Sequence, residues 1–155
     1  MAASLMSVRV SPSFEAPVLI QLKNRRMPGR PQNYYVDCES PTAALASETE
    51  AVGSTARHPD LKRWEVPVPT EAAMHLFDLL EHARIPPLSG GAMGLDGCSY
   101  EVCLGDEWGG ARYRWWCTPP QGWEALGEVV ATLSTYAGAS GVRAFLKPLK
   151  TYKVP

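Results

Sequence analysis

The alternation in residues 98–104 and 111–117 constrains the fold of this chain more than any other stretch. Cys98, Tyr100, Val102 and Leu104 interleave with Ser99, Glu101 and Cys103, and beyond a glycine-containing turn at 105–110 the chain returns through Ala111, Tyr113, Trp115 and Cys117. Successive side chains of a strand point to opposite faces, so the pattern reads as a hairpin over 97–117 with one apolar face. That face needs a cover, and the next segment supplies one. Leu126, Val129, Val130, Leu133 and Ala137 recur at i, i+3, i+4, i+7 and i+11, the apolar stripe of a helix. Thr118-Pro119-Pro120-Gln121 has the spacing of a capping box, which predicts a helix from about 120 to 137, with Gly138 as its stop.

An earlier stripe, Ala73, Leu76, Phe77, Leu80 and Ala83, predicts a helix over about 70–84 with Thr70 as N-cap and Ile85-Pro86-Pro87 as terminator. Before it come three strand candidates. Residues 17–22 follow a proline suited to a strand start, 33–38 carry Tyr34, Tyr35 and Val36, and 63–69 place Trp64, Val66 and Val68 on one face, with Pro67 confining that strand to an edge. Strands, helix, hairpin and helix in that order predict an α+β fold, a mainly antiparallel sheet of about five strands packed on one face by two helices.

A length of 155 residues suits a single domain over 1–155, and 45% apolar with 20% charged residues is globular composition. With 14 prolines and 13 glycines, part of the chain is expected outside regular structure. Residues 1–16 read as an irregular arm, 23–31 as a basic turn, 39–62 as a mobile insertion and 147–155 as a basic tail. Within the insertion, Ser40-Pro41 is suited to open a short alanine-rich helix over 42–52.

A net charge of −1 and a pI near 6.3 argue against nucleic-acid or membrane-surface binding by bulk electrostatics. No secretory h-region opens the chain and no stretch reaches the length of a membrane span, so a cytoplasmic location is expected, with the four cysteines as reduced thiols.

The residues offer little that specifies a reaction. Cys98 and Cys103 lie five apart on one strand and therefore on opposite faces, and no Cys-x-x-Cys occurs, so no metal site and no cofactor are expected. Glu71, His75, Asp78 and His82 recur along one helix face, but that face is opposite Leu76, Phe77 and Leu80 and reads as the solvated side. No nucleophile elbow or phosphate loop is present. No catalytic residue is assigned.

The hairpin carries the functional signal. Its alternation puts Tyr113 and Trp115 inward with Tyr100 and Val102, and Arg112, Arg114 and Trp116 outward. Trp108 in the turn and Trp123 at the helix start are expected to extend the outward stripe, with arginine stacked on indole. Exposed Trp and Arg dominate protein–protein hot spots, which makes Arg112, Arg114, Trp116, Trp108 and Trp123 the candidate partner-binding residues.

Residues 95–101 (Leu-Asp-Gly-Cys-Ser-Tyr-Glu), Tyr113-Arg114-Trp115-Trp116 and 119–126 (Pro-Pro-Gln-Gly-Trp-Glu-Ala-Leu) together resemble a loosely defined group of small bacterial proteins. Their shared pattern is an Asp-Gly-x-x-Tyr strand, a Tyr-x-Trp-Trp strand and a Pro-x-x-Trp-x-x-Leu helix. The resemblance implies a structural signature and no catalytic residue. Small stand-alone proteins of this kind are often immunity proteins, so the expected function is a non-enzymatic, inhibitory or immunity-type module whose partner is another protein, such as a toxin or effector. The alternative is a small-molecule binder or enzyme with a pocket between the hairpin and the first helix, using His75, His82 or Asp96. Single-stranded nucleic-acid binding is the third reading, disfavoured by the charge balance.

Overall fold

The computed structural model describes residues 3–13, 16–25, 32–41, 61–87, 97–106 and 109–138. In chain order these form β1 (Ala3–Pro12), β2 (Val18–Arg25), β3 (Asn33–Pro41), β4 (Leu61–Val68), α1 (Thr70–His82), β5 (Cys98–Asp106), β6 (Gly109–Trp116) and α2 (Glu124–Ala137). The strands make one sheet in the order β4-β3-β2-β1-β5-β6, with every neighbouring pair antiparallel. The fold is the expected α+β arrangement, with six strands where about five were anticipated.

The additional strand overturns the reading of 1–16 as an irregular arm. β1 is central, with Val8 opposite Ile20 on one side and Val102 on the other. Met6, Val8 and Val10 are buried while Ser7, Arg9 and Ser11 take the other face, the two-residue period of a half-buried strand. Pro12 stands at the end of the strand, where its missing N–H is tolerated.

One face of the sheet is apolar across all six strands. Val8, Val10, Ile20, Leu22, Val36 and Val102 are fully buried, together with Leu76 from α1 and Leu126, Val129, Val130 and Leu133 from α2. Each such side chain contributes about 1.5–3 kcal/mol when removed from water. α2 packs against β2, β3, β4 and β5, whereas α1 rests on β3 and α2. Accordingly α2 buries both sides of its stripe, and α1 buries only Ala73 and Leu76 completely. Trp64 of β4 donates its indole N–H to the Ala137 carbonyl at 2.8 Å, answering one of the acceptors that a helix C-terminus leaves open.

Both helix starts differ from expectation. Thr70 is the first helical residue, not the cap; Pro69 precedes it, and the Ala73 N–H bonds to the Pro69 carbonyl at 3.1 Å. Thr118–Gln121 forms no capping box, because the chain makes a turn first, with the Trp123 N–H on the Pro120 carbonyl at 2.9 Å and Gly122 at φ +86°. A side chain at Gly122 would be strained and would press on the Pro86 ring. Helical geometry therefore begins at Glu124.

Ser40 and Pro41 end β3, opposite Lys62 and Leu61, so they open no helix; residues 39–41 and 61–62 of the expected insertion are paired strand, and 42–60 lie outside the described residues. Lys23 and Arg25 belong to β2. The 42–52 helix, the rest of the basic turn, Asp96 and the tail from 139 lie outside the described residues.

Candidate partner-binding surface

The register of β5 and β6 builds the surface directly. Tyr100 faces Trp115 and Val102 faces Tyr113 on the helix side, while Ser99 faces Trp116, Glu101 faces Arg114 and Cys103 faces Arg112 on the other. Beneath the helices the rings form a continuous aromatic cluster. Trp115 stacks on Tyr100 with centroids 5.6 Å apart, and Trp123 meets Trp115 edge-on at 6.1 Å and Tyr113 at 5.2 Å. The indole of Trp115 is buried with its N–H unmatched among the described residues.

Trp123 must therefore be moved from the surface to the core. It is 4% exposed, and its indole N–H donates to the Pro86 carbonyl at 2.9 Å. The turn at 119–123 swings this residue under the sheet before α2 starts. Trp108 lies outside the described residues. Of the five candidates, Arg112, Arg114 and Trp116 stand together on the outer face, the two arginines exposed and Trp116 half-buried.

Gly97 explains the half-burial. It sits at φ +148°, and a side chain there would come within 3.1 Å of the Trp116 ring, so the absence of a Cβ lets the indole lie close to the backbone. Turned toward Gly97, Trp116 takes no arginine on its face; among the described residues the cation–π contacts are Arg25 over Tyr35 at 4.7 Å and Lys62 over Trp64 at 5.6 Å. The expected arginine–indole stacking is absent for that reason. Nor does any carboxylate of the described residues lie within ion-pair distance of Arg112 or Arg114. Among the described residues these two cations at the margin of the sheet have no ion-pair partner.

The outer face extends beyond what the hairpin pattern alone reveals. Arg9 of β1 lies opposite Glu101, and Ser7 and Ser11 lie opposite Cys103 and Ser99. The alternation of these residues with Met6, Val8 and Val10 was the available signal. Farther across, Arg63 pairs with Glu39 at 3.0 Å.

His75 and His82 stand on the solvent side of α1, with side chains 61% and 75% exposed. His75 Nε2 is 3.1 Å from Glu128 Oε1, and His82 donates from Nδ1 to the Asp78 carbonyl at 2.8 Å. That hydrogen bond, aided by the Asp78 carboxylate, raises the His82 pKa above its ordinary value. A hollow of about 540 Å³ lies at the opposite end of the sheet, against Arg25, Tyr35, Glu65 and Pro67. Its charges already answer one another, Arg25 being 3.3 Å from Glu65.

Cys98 is buried and Cys103 half-buried on the other face, as alternation requires. Burial, with Asp37 adjacent, pushes the Cys38 thiol up to about 12. Among the described residues no group of three or more His, Cys, Asp or Glu side chains is placed to hold a metal ion, and no helix is long and apolar enough to cross a membrane. Comparison with family models, with curated proteins and with solved structures found no match.

Proposed function

We propose that the protein is a binding module that holds a partner protein against the outer face of the β5–β6 hairpin, as an immunity-type or inhibitory protein directed at a toxin or effector would. The observation that carries this reading is the pair of exposed guanidinium groups of Arg112 and Arg114, without an ion pair among the described residues, beside the half-buried indole of Trp116. The helices lie on the apolar side of the sheet, so α1 and α2 do not cover these side chains. A half-buried indole is already held in place and loses little freedom on contact, and a guanidinium gains paired hydrogen bonds when a carboxylate meets it. Electrostatic attraction of this kind also speeds encounter with an acidic partner.

The test begins with capture from an extract of the source cells on immobilised protein, followed by reconstitution with the purified captured protein. Replacing Arg114 and Trp116 together with alanine is expected to abolish capture while circular dichroism and the urea midpoint stay near those of the parent. Retained binding, or loss of the fold, overturns the proposal.

A further inference from the structure

We infer that β6 accepts an extended segment of the partner as a seventh strand, one carrying acidic side chains at alternate positions opposite Arg112 and Arg114. This rests on the reading of the hairpin as the binding face and adds how the partner is held. β6 is an edge of the sheet, and no described strand pairs with its far side. Its eight residues, Gly109–Trp116, include no proline. The opposite edge is blunted, since β4 contains Pro67 and is followed directly by Pro69.

The phase of the backbone determines which groups β6 offers. The Cys117 N–H bonds to the Cys98 carbonyl at 2.8 Å, so residues 98 and 117 form a hydrogen-bonded pair. Bonding direction alternates along an antiparallel strand, which turns Trp115, Tyr113 and Ala111 toward β5 and leaves the N–H groups of Arg112, Arg114 and Trp116 aimed at the open edge. The carbonyls of Arg112 and Arg114 point the same way. At Cys117, φ is 55° and the Thr118 N–H closes on the Trp116 carbonyl at 2.7 Å, which ends the open edge there. The residues whose side chains form the outer patch are thus those whose main chains no described strand pairs.

Charge identifies the segment. Reading across the outer face from Arg9, the row runs Arg9, Glu101, Arg114, alternating in sign and ending on a cation. Farther along the same row Glu39 is matched by Arg63. The next position outward calls for a carboxylate, and Arg112, two residues away on the same face, calls for another. A second copy of this chain is the poorer occupant. A twofold pairing of β6 with itself keeps side chains of one face together, and the two longest overlaps set Arg112 opposite Arg112 or Arg114, placing like charges directly across from each other.

The probe is a capped heptapeptide alternating threonine and glutamate, compared with the same peptide carrying lysine for glutamate. Nuclear magnetic resonance titration of the intact chain is expected to shift the amides of Arg112, Arg114 and Trp116 and to slow their hydrogen exchange with the glutamate peptide. The preference over the lysine peptide is expected to be about tenfold or more, from two charge pairs. Arg112→Glu combined with Arg114→Glu should reverse that preference. Arg114→Pro, which deletes an outward N–H without touching the β5 ladder, should remove the amide protection that Arg114→Ala retains. No shift with either peptide, an unchanged preference in the reversed variant, or a dimer in sedimentation that Arg114→Pro dissolves would each overturn the inference. If the reconstituted partner loses binding to the Arg114→Ala and Trp116→Ala double variant but binds Arg114→Pro as it binds Arg114→Ala, the face stands and the added strand fails.

Discussion

Trp123→Ala tests the division of the aromatic residues between core and surface. Trp123 is 4% exposed, touches Tyr113 and Trp115 edge-on and donates to the Pro86 carbonyl. A buried tryptophan removes about 150–250 Å² from water, about 4–6 kcal/mol at ~25 cal/mol per Å². Part of that area is already shielded in the unfolded chain, and Trp→Ala core replacements cost about 3–5 kcal/mol. A loss of about 4 kcal/mol, with a urea slope of about 2 kcal/mol per M, moves the midpoint down by about 2 M. Trp116→Ala removes a half-buried ring and should cost about half as much or less, a shift of at most ~1 M. The assay is equilibrium urea unfolding followed by far-ultraviolet circular dichroism, which does not depend on the indole removed. A shift below about 0.5 M for Trp123→Ala, or a larger shift for Trp116→Ala, would refute the division.

Three further outcomes are expected. Trp115→Phe retains most of the ring packing and deletes an indole N–H that has no acceptor among the described residues, so its cost should stay within about 1 kcal/mol in the same urea assay, far below that of Trp115→Ala. Because the folded pKa of His82 is raised above 6.5, the stability it supplies is fully present below the unfolded value and is lost as pH rises through the folded one. The melting temperature of the parent should therefore exceed that of His82→Gln by more at about pH 5.5 than at about pH 8, and a difference that is constant or grows with pH would contradict this. Finally, brief iodoacetamide treatment near pH 8 followed by peptide mass spectrometry should label the exposed Cys117 first and leave Cys38, buried with its thiol raised to about 12, for last.

The sequence was most legible where period and burial coincide. The β5–β6 alternation and the α2 stripe are local, and both are seen in the structure with Tyr100, Trp115 and Leu126 facing inward. β1 was not legible in the same way. Its pattern from Met6 to Val10 is short, and what makes it a central strand is pairing with β2 and with the distant β5, which no local period encodes. Missing β1 also hid Arg9, and with it the alternating charge row that runs into Arg114. Trp123 failed for a different reason: a tryptophan beside a helix start carries no facing of its own, and the Gly122 turn decides it. The faces of Arg112 and Arg114 followed from alternation, whereas the absence of an ion pair to either among the described residues became visible only with the packed sheet.

The most direct test of the central claim is the dissociation constant of the purified partner, captured as described, from the parent chain and from the Arg114→Ala and Trp116→Ala double variant. Loss of a hot-spot residue weakens binding by about 2 kcal/mol or more, roughly thirtyfold. The expected result is at least that loss, with the urea midpoint lowered by no more than ~1 M. An unchanged dissociation constant in the folded double variant would contradict the account.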